Sequence, residues 1–226
     1  MNTFAGITEG ITDQIVIKNI LAGYFSPDIT ITWLQPLEDE TDENRSKNIG
    51  GWSLVFKYCE SEEFREAFQS NQYVIIQIDT DVLITAHVSE EYRIQSQDQD
   101  GKFSAEKIIE IVTQKFESTI GKEFYREYQN RIILAIAVHS TECWLLPLYY
   151  SDNRQGKLIN CLDTLNQELK RKEGYTVDPN SKNTDYYRKI SSKYNKKKEL
   201  PKYYPKNLSF KCFIEEIEKR NIIIEE

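Results

Sequence analysis

Asp79 and Asp81, with Thr80 between them, close the apolar run VIIQI at residues 74–78. Two carboxylates this near repel each other and are costly to desolvate. A hard divalent cation relieves both problems, because Mg²⁺ takes a few carboxylate oxygens and keeps several waters. The same pair could instead cap the turn or helix that follows. Other acids stand at comparable places: Glu9 follows the run TFAGIT, and Glu142 comes shortly after RIILAIAV. If these runs are strands of one parallel sheet, their C-terminal ends share an edge and the acids converge there. Asp13 falls in the first turn of the helix that follows Glu9, a favourable place for an anion. Such a gathering calls for a metal, or else the carboxylates must splay apart.

The elements that would position them can be read from periodicity. TFAGIT, ITITWL (residues 29–34), residues 72–79 and RIILAIAV are the four strand-like runs, the last two apolar enough to be buried on both faces. Between them, Ile17, Ile20, Leu21 and Tyr24 recur at helical spacing, with Thr12 the expected N-cap. WSLVFKYC, SEEFREAF, the stretch from Ser104, Lys122–Asn130 and CWLLPLYY also read as helices, while Glu38–Asn48 and Ser96–Phe103 are too polar to pack. Strands alternating with helices predict an α/β fold, Rossmann-like, with a mostly parallel four-stranded sheet flanked by helices. The expected division is an α/β domain over 1–150 and a helical C-terminal extension over 151–226 packed on it. His139, at the end of the fourth strand, reads as a satisfied histidine at the core edge rather than an acid.

Charge is segregated by sign. Lys170 to Lys211 carry thirteen Lys+Arg against four Asp+Glu, while the rest carries 16 basic and 32 acidic residues. Tyr175, Tyr186, Tyr187, Tyr194, Tyr203 and Tyr204 are interleaved with these cations. Such a mixture suits a phosphate backbone with unstacked bases, with Lys189, Lys193, Lys196, Lys197 and Lys198 as contacts. It equally suits a solvated helical face whose tyrosines pack inward. Cys59, Cys143, Cys161 and Cys212 are scattered without a CxxC, which predicts buried or free thiols rather than zinc or a disulfide framework. The longest apolar run, Ile132 to Val138, is far below the roughly 20 residues that span a bilayer, so a soluble, cytoplasmic protein without membrane partners is expected.

A Glu-Gly pair after the first strand and an Asp-x-Asp after a later buried strand resemble the TOPRIM domain of primases, topoisomerases and OLD-type nucleases. The matching segments are ITEGITDQIVIKNIL and IQIDTDVL, and AIAVHSTECWLLPL resembles a segment of small TOPRIM-like proteins of anti-phage defence loci. The resemblance implies a metal site of Glu9, Asp13, Asp79, Asp81 and Glu142 holding Mg²⁺ or Mn²⁺, with Glu9, Asp79 and Asp81 catalytic. It implies a nuclease acting on DNA or RNA, an effector of anti-phage defence. The alternative is a non-catalytic regulatory protein that docks on a partner ATPase.

Overall fold

A computed structural model of the chain describes residues 3–25, 28–37, 51–84, 93–94, 104–179 and 181–223. The polar stretches Glu38–Asn48 and Ser96–Phe103 lie outside the described residues. Four strands, β1 (Phe4–Ile7), β2 (Ile31–Gln35), β3 (Tyr73–Asp79) and β4 (Ile132–Ala137), form one sheet in the order β2-β1-β3-β4. Every neighbouring pair is parallel. Parallel neighbours need crossover connections, supplied by α1 (Ile11–Tyr24), α2 (Trp52–Glu60), α3 (Glu62–Ser70), α4 (Ala105–Ile120) and α5 (Lys122–Tyr128). From β1 the chain passes to β2 on one side and then to β3 on the other. That reversal makes a crevice at the C-terminal ends of β1 and β3.

β3 and β4 are buried on both faces, as their Ile/Val-rich sequences require. Side chains alternate between two cores. Phe4, Ile75, Ile133, Ala135 and Ala137 face α1 and the C-terminal helices. Ala5, Ile76, Ile78, Leu134 and Ile136 face α2 to α5, where Phe56 stacks on Phe116 at 4.7 Å. The small Ala135 and Ala137 leave room for large aromatics on the first face.

After β4 come α6 (Glu142–Leu145), α7 (Cys161–Glu173), α8 (Thr184–Ser191), α9 (Leu200–Tyr203) and α10 (Leu208–Glu218). Pro147 keeps α6 short, and Leu146–Leu148 continue as a single 3₁₀ turn. Trp144 lies between Phe210 and Phe213, with ring centroids 5.3 and 5.4 Å away, and its Nε1 donates to Ser209 Oγ at 2.8 Å. The Tyr194 hydroxyl donates to the Trp144 carbonyl. The segment beyond residue 150 thus supplies much of the first core. Its backbone meets α1 directly: a Cβ on Gly23 would stand 1.8 Å from the Tyr194 carbonyl oxygen.

Two expectations need correction. The N-cap of α1 is Gly10, not Thr12, because the Gly10 carbonyl already accepts the N–H groups of Asp13 and Gln14. Cys143 and Cys161 form a disulfide, which the absence of a CxxC concealed because the fold, not local spacing, brings α6 and α7 together.

Candidate functional site

The acids reach one edge because three strands end there. β1 stops at Ile7 and Thr8-Glu9-Gly10 turns into α1; β3 ends on Asp79; β4 ends at Ala137, and Glu142 opens α6. Glu9, Asp13, Asp79, Asp81 and Glu142 therefore act on one another electrostatically.

Asp79 is the most firmly held. Its Oδ1 accepts the Thr141 N–H at 3.0 Å, the Thr141 hydroxyl at 2.9 Å and the Gln77 amide at 2.9 Å. Gln77 is fully buried, and its amide also donates to Thr141 Oγ1 at 3.1 Å. Its Oε1 accepts the Glu9 N–H at 3.0 Å, and Glu9 Oε2 accepts the Asp79 N–H at 3.2 Å. Gln77 and Asp79 share the strand face of Ile75, the face against which α1 packs, and Asp13 lies in the first turn of that helix. At the end of β4, His139 has φ 66°, and its carbonyl accepts the N–H groups of Thr80 and Asp81, both at 2.9 Å. Its own N–H donates to Thr80 Oγ1 at 2.8 Å, so its backbone fastens the ends of β3 and β4. The His139 Nδ1 atom is buried without a hydrogen-bond partner, so the expected satisfied imidazole is not what the structure shows.

Burial dominates the electrostatics. It pushes Glu9 up to about 8, and the neighbouring Asp13 adds to the rise. It lifts Asp13 to about 6, against the pull of Lys182. Asp79 is driven well above the usual carboxylate range by burial and then by Asp13, Glu9 and Glu142. Asp81 is also raised by burial, although the Val82 N–H, 2.7 Å from its Oδ1, opposes the shift. Among the described residues neither carboxylate caps a helix: Asp81 accepts the adjacent Val82 N–H, and Asp79 reaches across to Thr141.

Four residues at the site were not anticipated there: Lys182, Tyr187, Thr141 and Gln77. Lys182 Nζ lies 2.8 Å from Glu142 Oε1, and the Tyr187 hydroxyl donates to the same oxygen. Burial pushes Glu142 up, but Lys182, Tyr187 and Ser140 outweigh it and leave Glu142 below the ordinary glutamate value. The ammonium also pulls Asp13 and Asp79 down. Nothing in the local sequence separates Lys182 from the other lysines of the basic stretch. Gln77 did carry a signal, as a lone polar residue inside a strand buried on both faces.

The donor set is all carboxylate oxygen, which suits Mg²⁺ or Mn²⁺. Asp13 Oδ1 is buried and has no hydrogen-bond partner. Among the described residues, however, no three His, Cys, Asp or Glu side chains already surround one point as a metal cage. The committed oxygens account for this. Asp79 Oδ1 is tied to Thr141, Glu9 Oε2 to the β3 backbone, Asp81 Oδ1 to Val82, and Glu142 Oε1 to Lys182 and Tyr187. The residues fit the cation in chemistry, and Lys182 stands among them.

Lys189, Lys193, Lys196, Lys197 and Lys198 are exposed and lie outside this cluster, Lys189 pairing with Glu173 at 2.5 Å. Tyr187 and Tyr194 are fully buried, and Tyr175 stacks on Tyr186 at 4.1 Å. Tyr187 and Tyr194 are therefore core residues with no face free for a base, while Tyr175, Tyr186, Tyr203 and Tyr204 are half-buried and the lysines face solvent. Comparison with protein-family models, curated proteins and solved structures finds no match.

Proposed function

We propose that the acidic edge binds Mg²⁺ or Mn²⁺ and that the protein is a metal-dependent phosphodiesterase acting on DNA or RNA. The observation that carries this reading is the convergence of five carboxylates from three strand ends onto one edge, with Lys182 the one ammonium among them in the described residues. Lys182 by itself cannot balance five acids. Protons make up part of the difference, as the raised Glu9 and Asp13 record. A divalent cation would make up the rest, and when bound it would neutralise charge developing on a phosphoryl oxygen.

The chain's own groups divide the remaining work. Thr141 and Gln77 lock the orientation of Asp79, so its second oxygen points in a fixed direction toward a ligand. Glu9, with an affinity for protons near neutrality, is suited to take a proton from an attacking water and return it to a leaving oxygen. Asp13 offers its unpartnered oxygen, and Asp81 borders the site on the turn after β3. The exposed lysines of residues 189–198 provide a track for the phosphate backbone. A TOPRIM-type assignment, and a role in anti-phage defence in the cytoplasm, rest on the sequence resemblance. Among the described residues no helix is long and apolar enough to cross a membrane.

One observation favours a second reading, a regulatory protein or silent effector that waits for a partner such as an ATPase. Lys182 already neutralises Glu142, so the isolated chain would be quiet. The test is cleavage of labelled DNA and total transfer RNA in Mn²⁺ at low salt, comparing wild type with Asp79→Ala/Asp81→Ala. The wild type should cleave and the double variant should be slower by at least about a hundredfold. A metal-dependent rise in Tm without cleavage would favour the waiting effector. No response to metal of any kind would sink the metal reading.

A further inference from the structure

We propose that Lys182 is the resident counter-ion of the acidic site, and that a divalent cation loads as its ammonium leaves Glu142 for a phosphate oxygen of nucleic acid. This rests on the metal reading above and specifies how that site is regulated.

The position of Lys182 in the chain makes it displaceable. It belongs to none of the strands or helices, but to a short link between two fixed points. Upstream, Val177 is buried and clamped by Asn166 of α7, whose side chain donates to the Val177 carbonyl at 2.8 Å and accepts its N–H at 2.7 Å. Downstream, Asn183 caps α8, and Tyr187 is buried one turn further on. Between these anchors the Lys182 side chain is 31% exposed while its partner Glu142 is 2% exposed. The ammonium can swing toward solvent without opening the core, whereas the carboxylate cannot follow. Glu142 would not be stranded, since the Tyr187 hydroxyl still donates to it.

The present arrangement is also incomplete. Asp13, 4% exposed, keeps one oxygen without any partner. An unsatisfied buried acceptor is costly, and this one lies beside the Lys182–Glu142 pair, where a further cation would satisfy it. The cluster accommodates more positive charge than Lys182 brings, and a smaller, doubly charged ion provides it. An incoming phosphate is the natural partner for the released ammonium, since Arg188 and Lys189, paired at the surface with Asp185 and Glu173, follow within two helical turns. Metal and nucleic acid would then each favour the binding of the other, by reciprocal linkage.

The test is a calorimetric titration of Mn²⁺ into wild type and Lys182→Gln, with and without a single-stranded phosphorothioate oligonucleotide. Lys182→Gln should bind Mn²⁺ about tenfold more tightly than wild type. The oligonucleotide should tighten Mn²⁺ binding in wild type and leave the variant unchanged. Because the variant could fail to fold, wild type is also treated with an amine-reactive ester and the acylated lysines are read by mass spectrometry. Mn²⁺ should speed acylation of Lys182 while Lys196, Lys197 and Lys198 stay constant. Equal or weaker Mn²⁺ binding by Lys182→Gln, or acylation of Lys182 that Mn²⁺ does not move, overturns the exchange while leaving the metal reading intact. Heat from neither protein overturns both.

Discussion

The acidic edge and the basic stretch are the two charged regions of this molecule, and they are built in opposite ways. The five acids are scattered from Glu9 to Glu142, yet the fold gathers them, burying Asp13, Asp79 and Glu142 and half-burying Glu9 and Asp81. The lysines from 189 to 198 are close together in sequence, yet all are exposed to water, Lys189 paired at the surface with Glu173. Water screens the second group, so its members are nearly interchangeable. Burial removes that screening from the first, so every acid changes the others. Dense charge in a sequence is therefore a weaker sign of a site than sparse charge at the ends of buried strands.

The largest expected consequence is in pH dependence. Glu9 and Asp13 bind protons more tightly folded than unfolded, with folded values of about 8 and about 6 against ordinary values of 4.5 and 3.8. The folded state holds the extra protons, so the stability they contribute is complete below about pH 4 and is lost as pH rises through 6 and then 8. Without divalent metal, Tm should fall by more than about 5 °C between pH 5 and pH 8.5. Saturating Mn²⁺ should flatten that slope. A metal-free Tm that is constant over this range would remove the contrast between the two regions.

A smaller effect is expected from relieving the crowding at one point. Asp79→Asn keeps an oxygen for Thr141 and Gln77 and is neutral at every pH, so it avoids the cost of placing a carboxylate at this buried site. At pH 8 without metal it should stabilise the protein by about 1 kcal/mol in a urea titration, while losing the metal-dependent gain. Destabilisation would mean that the three hydrogen bonds to Asp79 need the ionised form.

The smallest change in stability should come from the basic stretch. Lys196→Glu/Lys197→Glu/Lys198→Glu should shift stability by no more than about 0.5 kcal/mol. If these lysines track a phosphate backbone, the same variant should weaken nucleic-acid binding and lower its salt slope by roughly one for each phosphate no longer neutralised. An unchanged salt slope would remove them from the substrate path.

How much of this could be read beforehand follows the same division. β3 and β4 were legible because strands buried on both faces must be almost wholly apolar, and the acids were legible because they interrupt those runs. The parallel sheet followed from the alternation of strands with helices. Lys182 was illegible because its role depends on a link pinned by Asn166 and Tyr187, and local sequence does not encode that path. Tyr187 and Tyr194 resembled every other tyrosine of the stretch until helix packing turned them inward. The Cys143–Cys161 bond was hidden for a related reason, since 18 residues and a change of direction separate its ends. Thr12 was a sound N-cap by residue type, but the glycine before it began the helix first.

The closeness of Gly23 to the backbone at Tyr194 has a consequence for how the chain tolerates variation. A single methyl group at position 23 would collide with a carbonyl oxygen that cannot rotate away, so α1 and residues 192–195 would have to separate. Ten residues along α1, about 15 Å, is Asp13. Just upstream of residues 192–195 is α8, which carries Tyr187, and before it the link bearing Lys182. In a screen of random variants scored for activity, position 23 would therefore register with the acids themselves, although nothing at that end of the helix touches the site.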